Sequence, residues 1–202
     1  IAPCTQEENP QHLVALKFLQ NDEAIIHLSF NGLEDFETAN ATGFRNCVTL
    51  EDVVIPEGAT TIKRSMFYGC SNLKRVILPK SIQVIEDYAF AGCASLIEFP
   101  FRDLAQLEKI GDHAFENCVN LQEVFLLDGL KSIGNAAFMN CRKLTNVHFP
   151  EERQLETVGT HLFRGCLMSE QNVNYPMDQL PEGHCWFSPE QEQDVILKLA
   201  LQ

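Results

Sequence analysis

The chain has 202 residues, 45% hydrophobic and 21% charged, which is enough apolar chain to bury a core and unlike a disordered segment. Its formal net charge of −13 argues against nucleic acid and anionic membranes as partners, because both are held by clustered Lys and Arg. No apolar run reaches the roughly 18 residues that a membrane-crossing helix needs, so direct membrane insertion is not expected.

The chain opens on Ile1 with no charged-then-apolar leader in view, the pattern of a processed or trimmed amino terminus. Ile1 to Cys4 has a weak likeness to the end of a lipoprotein signal, which Pro3 beside Cys4 fits poorly. A helix is expected over 9–20: Asn9 serves as N-cap, Pro10 takes the first helical position, and Leu13, Leu16 and Leu19 or Phe18 share a face. Residues 24–30, "AIIHLSF", follow as a capping strand, so that 1–43 forms an N-terminal cap. Asn40, Ala41 and Thr42 match a glycosylation acceptor, which has meaning only in a secretory eukaryote.

From residue 44 the chain repeats itself. Phe44, Phe67, Phe90, Phe115, Phe138 and Phe163 are spaced by 23, 23, 25, 23 and 25 residues. Three residues after each comes Cys47, Cys70, Cys93, Cys118, Cys141 or Cys166. Leu50, Leu73, Leu96, Leu121 and Leu144 follow three further on, and then Val53, Val76, Phe99, Val124 and Val147. The sixth copy carries one inserted residue, which aligns Val173, Tyr175 and Pro176 with the earlier "V-x-F-P". The "L-x-x-V-x-L" segment alternates like a short strand with Val76 and Leu78 facing in, and Pro56, Pro79, Pro100, Pro150 and Pro176 end the ladder because proline has no N–H. Ile82/Ile85, Leu107/Ile110, Leu130/Ile133 and Leu155/Val158 then face inward at a corner.

A short helical turn is expected next, with Asp87, Asp112, Asn135 and Thr160 as N-caps and Arg64 as the exception. Asn46, Gly69, Gly92, Asn117, Asn140 and Gly165, just before the cysteines, are residues that tolerate the left-handed conformation ending such a turn. One such unit cannot bury its apolar face alone, whereas six stacked units make a continuous core. The fold expected over 44–176 is a right-handed α/β solenoid with a parallel sheet on its concave side and short helical turns on its convex side. Residues 177–202 close it as a C-terminal cap, with a helix over 189–200 that starts at Ser188-Pro189. That helix could instead be an amphipathic docking element or the stub of a further domain.

The pattern "F-x-[GN]-C-x-x-L-x-x-V-x-[LIF]-P…I-x-x-x-[AM]-F" resembles the BspA-type leucine-rich repeat of bacterial and protist surface proteins, over about two thirds of the chain. The resemblance implies a non-enzymatic module, secreted or surface-displayed by a microbe, that engages a host or matrix protein, or a glycan.

The cysteine column carries no reactive pattern. Zinc needs paired, converging ligands, and a 23–25-residue spacing builds a row. A catalytic thiol needs a base and some exposure, and these lie between an inward Phe and an inward Leu. Stacked coils about 4.8 Å apart fall inside the disulfide window, but equivalent side chains run parallel, which favours buried free thiols. Cys4 and Cys185 lie outside the column, roughly 25–30 Å apart by coil count, and are not expected to bridge each other. His12, His27, His113, His148, His161 and His184 form no metal spacing or triad. No catalytic residue, metal ligand or cofactor fingerprint is found.

What remains is the concave face. Two columns point out between the buried positions: Asp52, Arg75, Glu98, Glu123 and Asn146, and then Val54, Ile77, Pro100, Phe125 and His148. The second is an apolar stripe, with Phe125 between Ile77 and His148 as the anchor for a protein partner. An intracellular scaffold or injected effector that docks host proteins is the alternative, consistent with laddered free thiols; the oligomeric state is not legible.

Overall fold

In the computed structural model, residues 27–30, 32–149 and 155–166 are described. The helices expected over 9–20 and 189–200, and the sixth-copy segment 173–176, lie outside them.

The turns of the solenoid contribute two kinds of short strand, one at the front and one at a corner. The outward-alternating segments give β1 (His27–Ser29), β2 (Asp52–Val54) and β4 (Arg75–Ile77), then β7 (Glu123–Phe125) and β9 (Asn146–His148). Pairing is parallel and in register: His27 with Asp52 and Arg75, Val54 with Ile77, Glu123 with Asn146, Phe125 with His148. The corner segments give β3 (Thr61–Ile62), β5 (Val84–Ile85), β6 (Lys109–Ile110), β8 (Ser132–Ile133) and β10 (Thr157–Val158), a second parallel sheet of five two-residue strands. The sequence marked only the inward residues of that corner. The sheet forms because every coil puts one β-branched inward residue at the same height, with Ile62, Ile85, Ile110 and Ile133 almost fully buried.

The core is a stack. Phe44, Phe67, Phe90, Phe115, Phe138 and Phe163 are buried, and neighbouring rings lie nearly parallel with centroids 5.3–6.0 Å apart. The leucine and valine slots are likewise buried from Leu50 to Val147. Between β1 and β2 stands α1 (Leu33–Thr42), which the sequence reading placed in the cap without assigning it a helix. Phe36 and Ala39, three apart, are its core-facing pair. The acceptor pattern Asn40–Thr42 falls in its last turn.

The back of each coil is not a helical turn. Asn46, Gly69, Gly92, Asn117, Asn140 and Gly165 all have φ between 58° and 79°, as their residue types indicate. A second left-handed column stands four residues earlier at Ser65, Tyr88, His113, Ala136 and His161, with φ between 52° and 59°. Bracketed this way, alternate N–H groups bond across to the next coil (Phe67 to Ala89 O, Phe90 to Ala114 O, both 2.8 Å), while the others close local turns such as Cys70 to Phe67 O. Cross-coil bonding therefore wins over helix bonding. The expected N-caps follow suit: Asp87, Asp112 and Asn135 do not cap their own turn but accept the N–H of Asp112 (2.9 Å), Asn135 (2.7 Å) and Thr160 (2.9 Å) in the next coil. At Arg64 the Glu86 carboxylate takes that role, accepting the Arg64 N–H at 2.8 Å. The ladder draws the backbones so close that a Cβ on Gly111 would meet Asp87 N at 2.5 Å.

The front sheet has a break that a regular repeat does not predict. Residues 97–100 form no strand, so β1-β2-β4 and β7-β9 are separate sheets. Pro56 and Pro79 stand twelve residues after their phenylalanines, but Pro100 stands only ten after Phe90. That puts it level with Ile77 and Phe125, inside the ladder, where an N–H is needed. The next donor is diverted as well, since Phe101 N–H bonds back to Phe99 O at 2.7 Å and a single 3-10 turn, Phe101–Asp103, follows. Phe99 and Phe101 turn inward and are buried among Phe90, Phe115 and Phe138.

Candidate functional site

On the front sheet, odd and even residues separate cleanly: Val53, Val76, Val124 and Val147 are buried, and their neighbours face out. The outward residues on β2 and β4 form an ion-paired row. Asp52 accepts from Arg75 Nε at 3.1 Å on one oxygen and pairs with His27 Nδ1 at 2.6 Å on the other. Beside this row stand Val54 and Ile77, 40% and 46% exposed. These aliphatics occupy the outward face although each strand's buried slot is already filled, so nothing in the fold itself requires them there.

Beyond the break the outward residues behave differently. Phe125 and His148 stack face to face, with ring centres 4.1 Å apart and planes 4° from parallel. The Arg102 guanidinium covers the other face of Phe125 at 3.6 Å. Glu123 ties the two outer layers together, 2.7 Å from His148 Nε2 and 3.7 Å from Arg102. Both faces of Phe125 are thus covered, and the ring is half-buried rather than offered as a free anchor. Asn146, beside Glu123 in register, is half-buried.

Glu98 and Pro100, expected in line with these columns, belong to the segment 97–100 that joins no strand. Glu98 is exposed and Pro100 half-buried, on the wall of a groove of about 570 Å³. Lys74, Arg75, Ile97, Glu98, Arg102 and Glu123 are among its lining residues, with Phe99 and Pro100 beneath. Two participants were missed from sequence. His27 sits on a strand outside the repeat frame, and Arg102 stands twelve residues after Phe90, in the slot that Pro56 and Pro79 fill in other coils, so neither falls in an outward column.

The cysteine column is chemistry of the core. Cys70, Cys93, Cys118, Cys141 and Cys166 are buried thiols. Each donates S–H to the phenylalanine carbonyl of the previous coil, from Cys70 to Phe44 O (3.0 Å) through Cys166 to Phe138 O (3.1 Å). Burial pushes Cys70 and Cys118 up to about 12 and holds Cys93 and Cys141 well above the ordinary thiol range, so these four are not nucleophiles at neutral pH. The first member departs from the expected row of free thiols: Cys47 is disulfide-bonded, to a partner outside the described residues. Among the described residues no group of three or more His, Cys, Asp or Glu could hold a metal ion, and no helix is long and apolar enough to cross a membrane.

Comparison with known proteins agrees with the repeat. The model for the BspA-type leucine-rich repeat region matches residues 37–170 as six copies. Among solved structures the chain is similar to a leucine-rich repeat protein of T. pallidum, at 27% identity over 64% of this chain and 70% of that one, with a TM-score of 0.48. It is also similar to a leucine-rich cell surface protein of Faecalibacterium prausnitzii, at 26% identity over 59% of this chain and 40% of that one, with a TM-score of 0.38. A leucine-rich repeat protein of Eubacterium ventriosum matches at 18% identity over 70% of this chain and 48% of that one, with a TM-score of 0.44. The chain thus spans less than half the length of the last two. No curated protein matches it.

Proposed function

This chain belongs to the BspA-type leucine-rich-repeat family, whose repeats are generally protein-interaction modules, and on that premise we propose that it docks a protein partner on its front, concave face. The observation that carries the proposal is the distribution of exposed apolar side chains. Five large hydrophobic residues are exposed among the described residues, and three of them, Val54, Ile77 and Ile97, lie on the front segments of three successive coils. Around them run ion-paired Asp52, Arg75 and Glu123, a polar rim about an apolar centre. In keeping with the family's repeats, the module acts by binding rather than by turnover on this proposal.

We place the protein outside the cell or at its surface, where a host or matrix protein, or its glycan, is the ligand. The Cys47 disulfide supports an oxidising compartment over the alternative of an intracellular scaffold or injected effector, because cytosolic thiols are kept reduced. The test is a panel of purified matrix and serum proteins presented to the wild-type chain and to a Val54→Glu/Ile77→Glu variant. Both side chains are exposed, so the variant should melt within a few degrees of wild type, yet lose its partner. Retained binding, or a hydrogen-exchange footprint on the back of the coils, refutes the assignment.

A further inference from the structure

We propose that the break in the front sheet is a strand-addition site for an extended, cation-bearing segment of the partner protein. This deepens the docking proposal above and rests on it. On β4, Arg75 N–H donates to Glu51 O (3.1 Å) and Ile77 O accepts from Ile55 N–H (2.9 Å), so both residues face β2. Backbone direction alternates along a strand, and Val76 N–H and C=O therefore face the broken coil. On β7 the bonds of Asn146 N–H to Gln122 O and Leu126 N–H to His148 O assign the β9 side in the same way, leaving Glu123 and Phe125 facing the break.

The broken coil gives one backbone bond, Ile97 O accepting Gln122 N–H just ahead of β7 (3.1 Å), and beyond it neither edge is filled. Pro100 has no N–H to give Val76 O, and the Phe101 N–H that would match the Leu126 bond is held by Phe99 O. Among the described residues, the N–H and C=O groups of Val76 and Phe125 that face the break have no backbone partner there. β4 and β7 are two coil steps apart, about 9.6 Å at ordinary strand spacing, and the chain between them forms no strand while keeping Phe99 and Phe101 in the core, in the inward slots that Val76 and Leu78 hold one coil earlier. The groove of about 570 Å³ lies over it. Two unfilled strand edges along an open groove are what an extended peptide pairs with.

Charge defines the occupant. The cations lining the groove are already paired: Lys74 with Glu51 (2.9 Å), Arg75 with Asp52 (3.1 Å) and Arg102 with Glu123 (3.7 Å). Glu98 and Asp103 line it too, are exposed, and have no ion-pair partner among the described residues. The unbalanced charge is negative. Ile97, 48% exposed, and Pro100 supply apolar contact beside it. A segment alternating apolar residues with Lys or Arg meets both, since successive side chains of a strand point to opposite faces.

The probe is a capped peptide of alternating valine and lysine, titrated into the whole chain, with two companions: a valine–glutamate peptide, and the valine–lysine peptide N-methylated at alternate residues to remove its ladder donors. Expected are binding of the first alone, slowed amide exchange at Val76, and about tenfold weaker binding on N-methylation, on the scale of one or two hydrogen bonds. Glu98→Lys/Asp103→Lys should weaken binding about as much and leave thermal stability unchanged. No binding, equal binding of the N-methylated peptide, or protection at β9 or β10 in place of Val76 overturns the proposal. The two proposals fail separately: if Val54→Glu/Ile77→Glu abolishes partner capture while the peptide ignores the groove, strand addition falls and front-face docking stands.

Discussion

Raising the pH should unfold this protein through its cysteine column. In the folded chain Cys70 and Cys118 are pushed up to about 12 by burial, and Cys93 and Cys141 are raised well above 9.0, by burial first and then by neighbouring thiols. In the unfolded chain the same thiols titrate near 9.0. Below that pH both states are protonated, and the column's contribution to stability is fully present. Above it the unfolded state releases protons that the folded state retains, so stability falls as pH rises toward the folded values. Each thiol contributes a slope of about 1.4 kcal/mol per pH unit, and four together about 5 to 6. A domain with about 5–15 kcal/mol of stability is exhausted within roughly one to three pH units above that point. Urea denaturation followed by circular dichroism from about pH 8.5 to about pH 10.5 measures the slope. Tyrosine and lysine titration enters equally in a Cys118→Ala variant, which should start less stable but decline less steeply by about 1.4 kcal/mol per pH unit. Parallel curves for the two proteins refute the reasoning.

Two further substitutions test the coil-to-coil contacts. Gly111→Ala should destabilise by about 2–3 kcal/mol although Gly111 has an ordinary φ, because the new Cβ meets the Asp87 backbone nitrogen and Oδ1 at 2.5 and 2.6 Å; a cost below about 1 kcal/mol by urea denaturation counts against that close approach. Pro100→Val restores the missing donor to Val76 O, so amide exchange at Val76 should slow and the valine–lysine peptide should lose its site; an unchanged exchange rate contradicts the account of the break.

The stack was legible because its signals are repeated and hidden from solvent. Phe90, Cys93, Leu96 and their equivalents read as core in every copy, and Gly92 or Asn117 read as left-handed from the residue type alone. The second left-handed column was not legible, because Tyr88, His113 and Ala136 carry no such preference and are held there by bonds to the next coil. For the same reason Asp112 looked like an N-cap: a sequence shows an acceptor beside a turn, but not that the nearest orphan N–H belongs to another coil. Of the candidate site, the columns through Asp52/Arg75, Val54/Ile77 and Phe125/His148 were placed correctly in register. Glu98 and Pro100 hold the same columns by count but join no strand, since alignment by column assumes that every coil pairs alike.

Pro100 shows why that assumption fails where function is most expected. The proline was visible in the sequence and fitted two columns at once, the ladder-ending prolines and the outward stripe. Only the second is its position, and occupying it removes a donor from the middle of a parallel sheet. The segment that follows supplies Arg102, which packs on Phe125 and reaches Glu123. One irregularity thus brings Arg102 over the aromatic anchor on one side and leaves Val76 unpaired on the other. Regular coils satisfy their own backbone and need no partner. The coil that cannot do so is the one whose surface a partner can complete.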